Sequence, residues 1–200
     1  MHKDMERKLL ALFTSRVRIK ILGLLLLSDK ELYVRQICRI IGEEINAVRR
    51  ELGRLVAVGL LKSKQRGNRL FYKARKEFVF YPEIIRLVAK TTRLGKRIIE
   101  RREELGSIKY AMMALPFVEG RVASERQVDL LIVGRVKLRL LEELIQTAEK
   151  EDGRQINYSV MTVEEFNFRK KRRDSFVLKI LSQPQIMLIG DEQSFNLMSP

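Results

Sequence analysis

The stretch Ile45-Asn46-Ala47-Val48-Arg49-Arg50-Glu51-Leu52-Gly53-Arg54-Leu55-Val56 divides into two faces when it is wound as a helix. Ile45, Val48, Leu52, Leu55 and Val56 fall on one side at helical spacing, so that side is expected to be buried. Asn46, Arg49, Arg50 and Gly53 recur at i, i+3, i+4 and i+7 on the other, a face that is polar, cationic and short at one point. Upstream, Val34, Ile37, Cys38 and Ile41 repeat the same spacing from Leu32 onward, and Gly42 supplies a stop. Before that, Ser15 can cap a helix reaching Leu27 with Val17, Ile21, Leu24 and Leu25 inward, and Ser28-Asp29-Lys30 ends it. Downstream of Gly59 the period changes. Two strands, 60–65 and 69–74, flank Arg66-Gly67-Asn68, where Gly and Asn tolerate the positive φ of a tight hairpin.

Three helices followed by a cationic hairpin read as a winged helix-turn-helix, and charge says what such a module would meet. The chain has 200 residues and a formal net charge of +15. Residues 1–100 hold 24 Lys and Arg against 10 Asp and Glu, whereas residues 101–200 hold 16 against 15. A basic half joined to a near-neutral half is the footprint of a polyanion-binding module carrying a second domain. No apolar run approaches the roughly 20 residues of a membrane span, and no secretory leader is visible, so a cytoplasmic protein without a membrane role is expected. One cysteine, Cys38, and one histidine, His2, leave little for disulfide, zinc or triad chemistry. No catalytic residue, metal or cofactor is expected.

Affinity for double-stranded DNA comes mainly from cations on phosphates, while sequence choice needs side chains that reach base edges. Asn46, Arg49 and Arg50 near the start of their helix suit base edges, because Arg can pair with guanine and Asn with adenine through two hydrogen bonds. Arg66 and Arg69 suit phosphate or minor-groove contact, with Lys62, Lys64 and Lys73 beside them. Arg35, Arg54 and Asn68 complete the expected DNA-binding set. A solvated cationic face is the alternative for any one of these residues, and it explains the whole ensemble poorly.

The first 100 residues resemble the arsenical-resistance-repressor (ArsR-like) family of winged-helix regulators. The resemblance runs through Leu12-Phe13-Thr14-Ser15-Arg16-Val17-Arg18-Ile19-Lys20-Ile21-Leu22, Ala47-Val48-Arg49-Arg50-Glu51-Leu52, Gly59-Leu60-Leu61 and Gly67-Asn68-Arg69-Leu70-Phe71-Tyr72. It implies a homodimer built with flanking helices, to which the amphipathic segment 81–98 could contribute if it is not covered within its own chain. Metal-sensing members carry Glu-Leu-Cys-Val-Cys where this chain has Glu31-Leu32-Tyr33-Val34-Arg35, so both thiolates are missing and Cys38 reads as a core residue.

From residue 105 onward, apolar runs at 107–115, 128–133, 156–161 and 186–189 alternate with helical stretches such as 135–150. That pattern predicts a small sheet covered by helices, with caps at Thr162 and Asp174. The run Arg169-Lys170-Lys171-Arg172-Arg173 reads as a solvated helix end. This half is similar to the minimal nucleotidyltransferase domain of the polymerase-beta type, on Val128-Asp129-Leu130-Leu131-Ile132-Val133-Gly134, the run from Ile156 to Thr162 and the run from Ile186 to Glu192. Active members need a Gly-Ser phosphate turn and three carboxylates. Here Asp129 stands alone, Gln127 and Asn157 replace its partners, and Ala111-Met112 is read at the turn. The resemblance therefore implies an inactive domain serving a nucleotide or small-molecule effector, a partner or assembly. The alternatives are a nucleotidyltransferase and an antitoxin that binds a partner protein. The expected organisation is α+β: a winged helix-turn-helix over 1–76, a linking and dimerisation helix over 77–104, and a nucleotidyltransferase-like domain over 105–200.

Overall fold

The structure, a computed structural model, describes residues 13–91, 93–121 and 127–197; His2 and the first residue of the Leu12 motif lie outside them. The chain is α+β with two small sheets and forms two compact units. One unit is Met1–Thr91 together with Glu119–Arg121, and the other is Thr92–Val118 with Val122–Pro200. The boundary cuts the segment 77–104 that was expected to be one linking helix. Arg93 there takes a left-handed φ of 52°, which an uninterrupted α-helix does not accommodate. Among the described residues, no helix is long and apolar enough to cross a membrane.

In the first unit, α1 (Arg16–Leu25) starts where the Ser15 side chain accepts a hydrogen bond from the Arg18 N–H at 3.2 Å. It ends two residues earlier than its apolar pattern suggested. A two-residue strand, β1 (Leu32–Tyr33), precedes α2 (Val34–Ile41), correcting the expectation of a helix from Leu32. Gly42 closes α2 in the left-handed region at φ 65°, donating to the Cys38 carbonyl at 2.9 Å. The next helix, α3 (Ile45–Ala57), is capped by Glu44, whose carboxylate accepts from the N–H groups of Asn46 and Ala47 at 2.8 and 2.9 Å. Strands β2 (Leu61–Arg66) and β3 (Arg69–Ala74) form an antiparallel hairpin, and β1 joins it in the order β1-β3-β2.

Apolar burial joins these elements. Ile21, Leu22 and Leu25 of α1, Ile37 of α2, Val48 and Leu52 of α3, and Leu61 of β2 are all buried. A fourth helix, α4 (Tyr81–Thr91), buries Tyr81, Ile85, Val88 and Ala89 and packs on α1. That part of the amphipathic 81–98 segment is therefore covered within its own unit. Glu119 lies among these elements with 3% of its surface exposed. Its carboxylate accepts from the Tyr81 hydroxyl at 3.1 Å and from Lys76 Nζ at 3.0 Å, and it also pairs with Arg121.

The second unit opens with α5 (Arg93–Glu100) and α6 (Arg102–Leu105), followed by β4 (Gly106–Ala114) and the short α7 (Leu115–Val118). Then come β5 (Leu130–Val136), α8 (Leu138–Asp152), β6 (Tyr158–Met161), α9 (Val163–Lys171), α10 (Ser175–Ser182), β7 (Gln185–Ile189) and α11 (Glu192–Asn196). The sheet order is β6-β5-β4-β7; β5 and β6 run parallel and the other pairs antiparallel. Leu130, Leu131, Ile132 and Val133 are all buried, as expected of a strand covered on both faces. Tyr110, Phe166 and Phe195 cluster on one side with centroids 5.2–6.1 Å apart. Thr162 and Asp174 cap α9 and α10 through the N–H groups of Glu165 and of Phe176 and Val177.

Two expectations about this unit need correction. Ala111 and Met112, read at a phosphate turn, lie inside β4 with no exposed surface, and the strand-to-helix junction is Ala114–Leu115. The basic run 169–173 is not uniformly solvated. Lys170 is 5% exposed, and its Nζ donates to the Phe195 carbonyl at 2.5 Å, close to the C-terminal end of α11. Burial pushes this amine below its ordinary value.

Candidate nucleic-acid interface

The orientation of α3 follows from what it buries. Val48, Leu52 and Leu55 face the core, so Asn46, Arg49, Arg50 and Gly53 remain exposed. A side chain at Gly53 would meet nothing within 4 Å, which leaves the backbone open there. Glu51 is the feature that periodicity missed. It is 4% exposed, and its carboxylate accepts from Arg18 Nε and Arg54 Nη1, both at 2.8 Å. Arg54 was grouped with the DNA-binding residues, yet its guanidinium is committed to Glu51. The spacing of three between Glu51 and Arg54 was the available signal.

The hairpin turns through Gly67 and Asn68 alone, so Arg66 belongs to β2 and pairs with Arg69. Only Gly67 has a positive φ, 54°, and its carbonyl accepts from Gln65 Nε2 at 2.6 Å. Side chains alternate across this sheet. Leu61, Tyr72, Ala74 and Leu32 share the buried face, while Lys62, Lys64, Arg66, Arg69, Phe71, Lys73 and Tyr33 share the outer one. On that outer face Arg66 pairs with Glu31, and Lys73 pairs with Asp29 at 3.1 Å. Lys73 holds the Asp29 carboxyl below its usual range.

Arg35 at the start of α2, Arg49 of α3, and Asn68 and Arg69 of the hairpin border one groove of about 570 Å³, with Gln65 and Tyr72 also lining it. Four expected residues from three elements thus meet. Asn46 and Arg50 continue the exposed face of α3 outside the groove lining, and Lys62 and Lys64 share the outer face of the hairpin with Arg69 without lining the groove. Among the described residues, no carboxylate forms an ion pair with Arg35, Arg49, Arg50, Lys62 or Lys64. These exposed cations present an uncompensated positive surface. Burial pushes the Cys38 thiol up, away from the reactive thiolate.

In the second unit Asp129 is 2% exposed; one oxygen accepts from the Asn157 N–H at 3.0 Å and the other has no partner. Burial pushes its carboxyl above the usual range. Gln127 Nε2 donates to Gln183 Oε1 at 3.3 Å. No group of three His, Cys, Asp or Glu side chains suited to a metal ion occurs among the described residues. Comparison with protein-family models, curated proteins and solved structures finds no match to the chain.

Proposed function

We propose that this protein is a sequence-specific, double-stranded DNA-binding transcriptional regulator of the winged helix-turn-helix type, acting in the cytoplasm as a homodimer. The observation that carries this reading is the groove where unpaired Arg35 and Arg49 meet the hairpin's Asn68 and Arg69, continuous with the exposed Asn46 and Arg50. The order of three helices and a hairpin, with α3 presenting its cationic face, supports α3 as the helix that enters the major groove. Lys62, Lys64 and Arg66 supply phosphate contacts beside it.

The second unit is proposed to be a nucleotidyltransferase-like domain without transferase chemistry, available to a nucleotide or small-molecule effector or to a protein partner. A two-metal mechanism needs several carboxylates turned toward the reacting phosphate. Asp129 instead accepts a main-chain hydrogen bond from a buried position, and Gln127 and Asn157 bring no charge.

Selection of bound duplexes from a random library is the direct test. A palindromic consensus is expected, bound more tightly than random duplex and released by salt. Equal, weak binding of selected and random DNA would overturn the reading.

A further inference from the structure

Beside the cations proposed to meet duplex phosphates, the outer face of the β1-β3-β2 sheet carries an aromatic pair that the duplex reading does not use. Phe71 and Tyr33 are half-buried neighbours on adjacent strands, with centroids 5.6 Å apart and planes at 68°. The Arg66 guanidinium lies 5.3 Å from the Phe71 centroid, and the Arg69 guanidinium lies 4.7 Å from that of Tyr33. Lys64 stands opposite Phe71 in the ladder, and Lys62 lies two residues before it on the same face. Tyr33 and Arg69 also border the groove described above, whereas Phe71, Arg66, Lys62 and Lys64 do not.

We infer that this sheet face binds single-stranded nucleic acid, stacking unpaired bases on the Phe71 and Tyr33 platform while the flanking cations follow the phosphates. Charge complementarity selects a polyanion, and the paired rings select one whose bases are free to stack; a duplex withholds its base faces. Glu31 sits at the edge of the platform, where it holds Arg66 across Phe71. A phosphate arriving there takes the place of the Glu31 carboxylate, so this side chain competes with the ligand. The inference is independent of α3.

The test is fluorescence anisotropy with a labelled oligothymidylate of about 12 nucleotides, within the site sizes of single-strand binders, set against an abasic oligomer of the same length and a duplex. The full chain is expected to bind oligothymidylate at least about fivefold more tightly than the abasic strand, the lower range for one stacked base. Phe71→Leu removes that preference and leaves duplex affinity in place, Phe71→Tyr retains it, and Glu31→Gln tightens single-strand binding more than duplex binding. Equal binding of abasic and thymidylate strands by the wild-type chain overturns the inference. So does a Phe71→Leu chain that keeps the preference, or one that loses duplex binding in parallel. The abasic comparison needs no variant and no duplex reading, so either proposal can fail without the other.

Discussion

Glu51 and Arg18 join α3 to α1 through a contact of 2.8 Å made where the carboxylate has almost no exposed surface. Thirty-three positions apart in sequence, the two residues set the rotation of α3 about its own axis, together with the burial of Val48 and Leu52. The second carboxylate oxygen takes Arg54, so one buried acid neutralises cations on both sides of it.

Replacing Glu51 by Gln is expected to cost about 2 kcal/mol of stability, because hydrogen bonds to charged groups are lost at a buried position while Arg18 and Arg54 still reach water. Urea unfolding followed by circular dichroism reads this. An unchanged midpoint would show that α3 is held by its apolar face alone.

Arg49 and Arg54 are expected to separate in their effects on DNA. Arg49→Ala should cost ~1–3 kcal/mol on the preferred duplex and relax its sequence choice, as for loss of a bidentate base contact. Arg54→Ala should cost less than half as much, since its guanidinium is already bound to Glu51. Arg66→Ala should weaken all duplexes alike and reduce the salt slope by about 0.9. Titrations of selected and random duplex at several salt concentrations decide among these, and a larger loss at Arg54 than at Arg49 would contradict the assignment.

Two glycines should respond in opposite directions. Gly134 has φ 151°, and a Cβ there would lie 2.2 Å from the Ser107 carbonyl oxygen, beside the bulge between Ile108 and Tyr110. Gly134→Ala is expected to destabilise the second unit by about 3 kcal/mol or more. Gly53→Ala meets nothing within 4 Å and should stabilise α3 by ~0.8–1 kcal/mol through helix propensity. Thermal unfolding of both variants checks the pair.

Asp129 gives the stability curve a defined slope. Burial raises its folded pKa above the ordinary value of 3.8, so the folded state holds the proton more tightly than the unfolded chain does. Its cost to stability is absent below about pH 3.8, grows as pH rises toward the folded pKa and is constant above it. Asp129→Asn should therefore raise the melting temperature at pH 7, with the gain shrinking as pH falls toward 4. A gain that persists unchanged at pH 3.5 would rule out the buried carboxylate as its source.

The helices were legible where burial and capping act locally. Ser15, Gly42, Thr162 and Asp174 each end or start a helix through contacts within a few residues, and the apolar face of α3 repeats over three turns. Features that depend on distant partners were not legible. The pairing of Leu32–Tyr33 with β3 is too short to show a period, and Leu32 continues the apolar pattern of the following helix. Lys170 looks solvated beside four other cations, because the carbonyl that draws it inward belongs to a residue 25 positions away. In the groove, the cations could be read from their faces, but their coming together with Asn68 depends on the sheet. Arg54 is exposed like its neighbours Arg49 and Arg50, and its pairing with Glu51 became visible only once that acid was seen to be buried.

Strand β1 holds the α2 end of that sheet with only two residue pairs, Leu32 with Tyr72 and Tyr33 with Phe71, whereas the β2–β3 hairpin has six. A ladder so short has few amide protons to protect and frays before the structure on either side of it. The Tyr33 N–H donates to the Gln36 side chain at 3.2 Å, within the first turn of α2, and its exchange is expected to outpace exchange in the interior of α3. Fast exchange at Tyr33 beside slow exchange in α3 would mark this seam as the part of the groove wall that opens first.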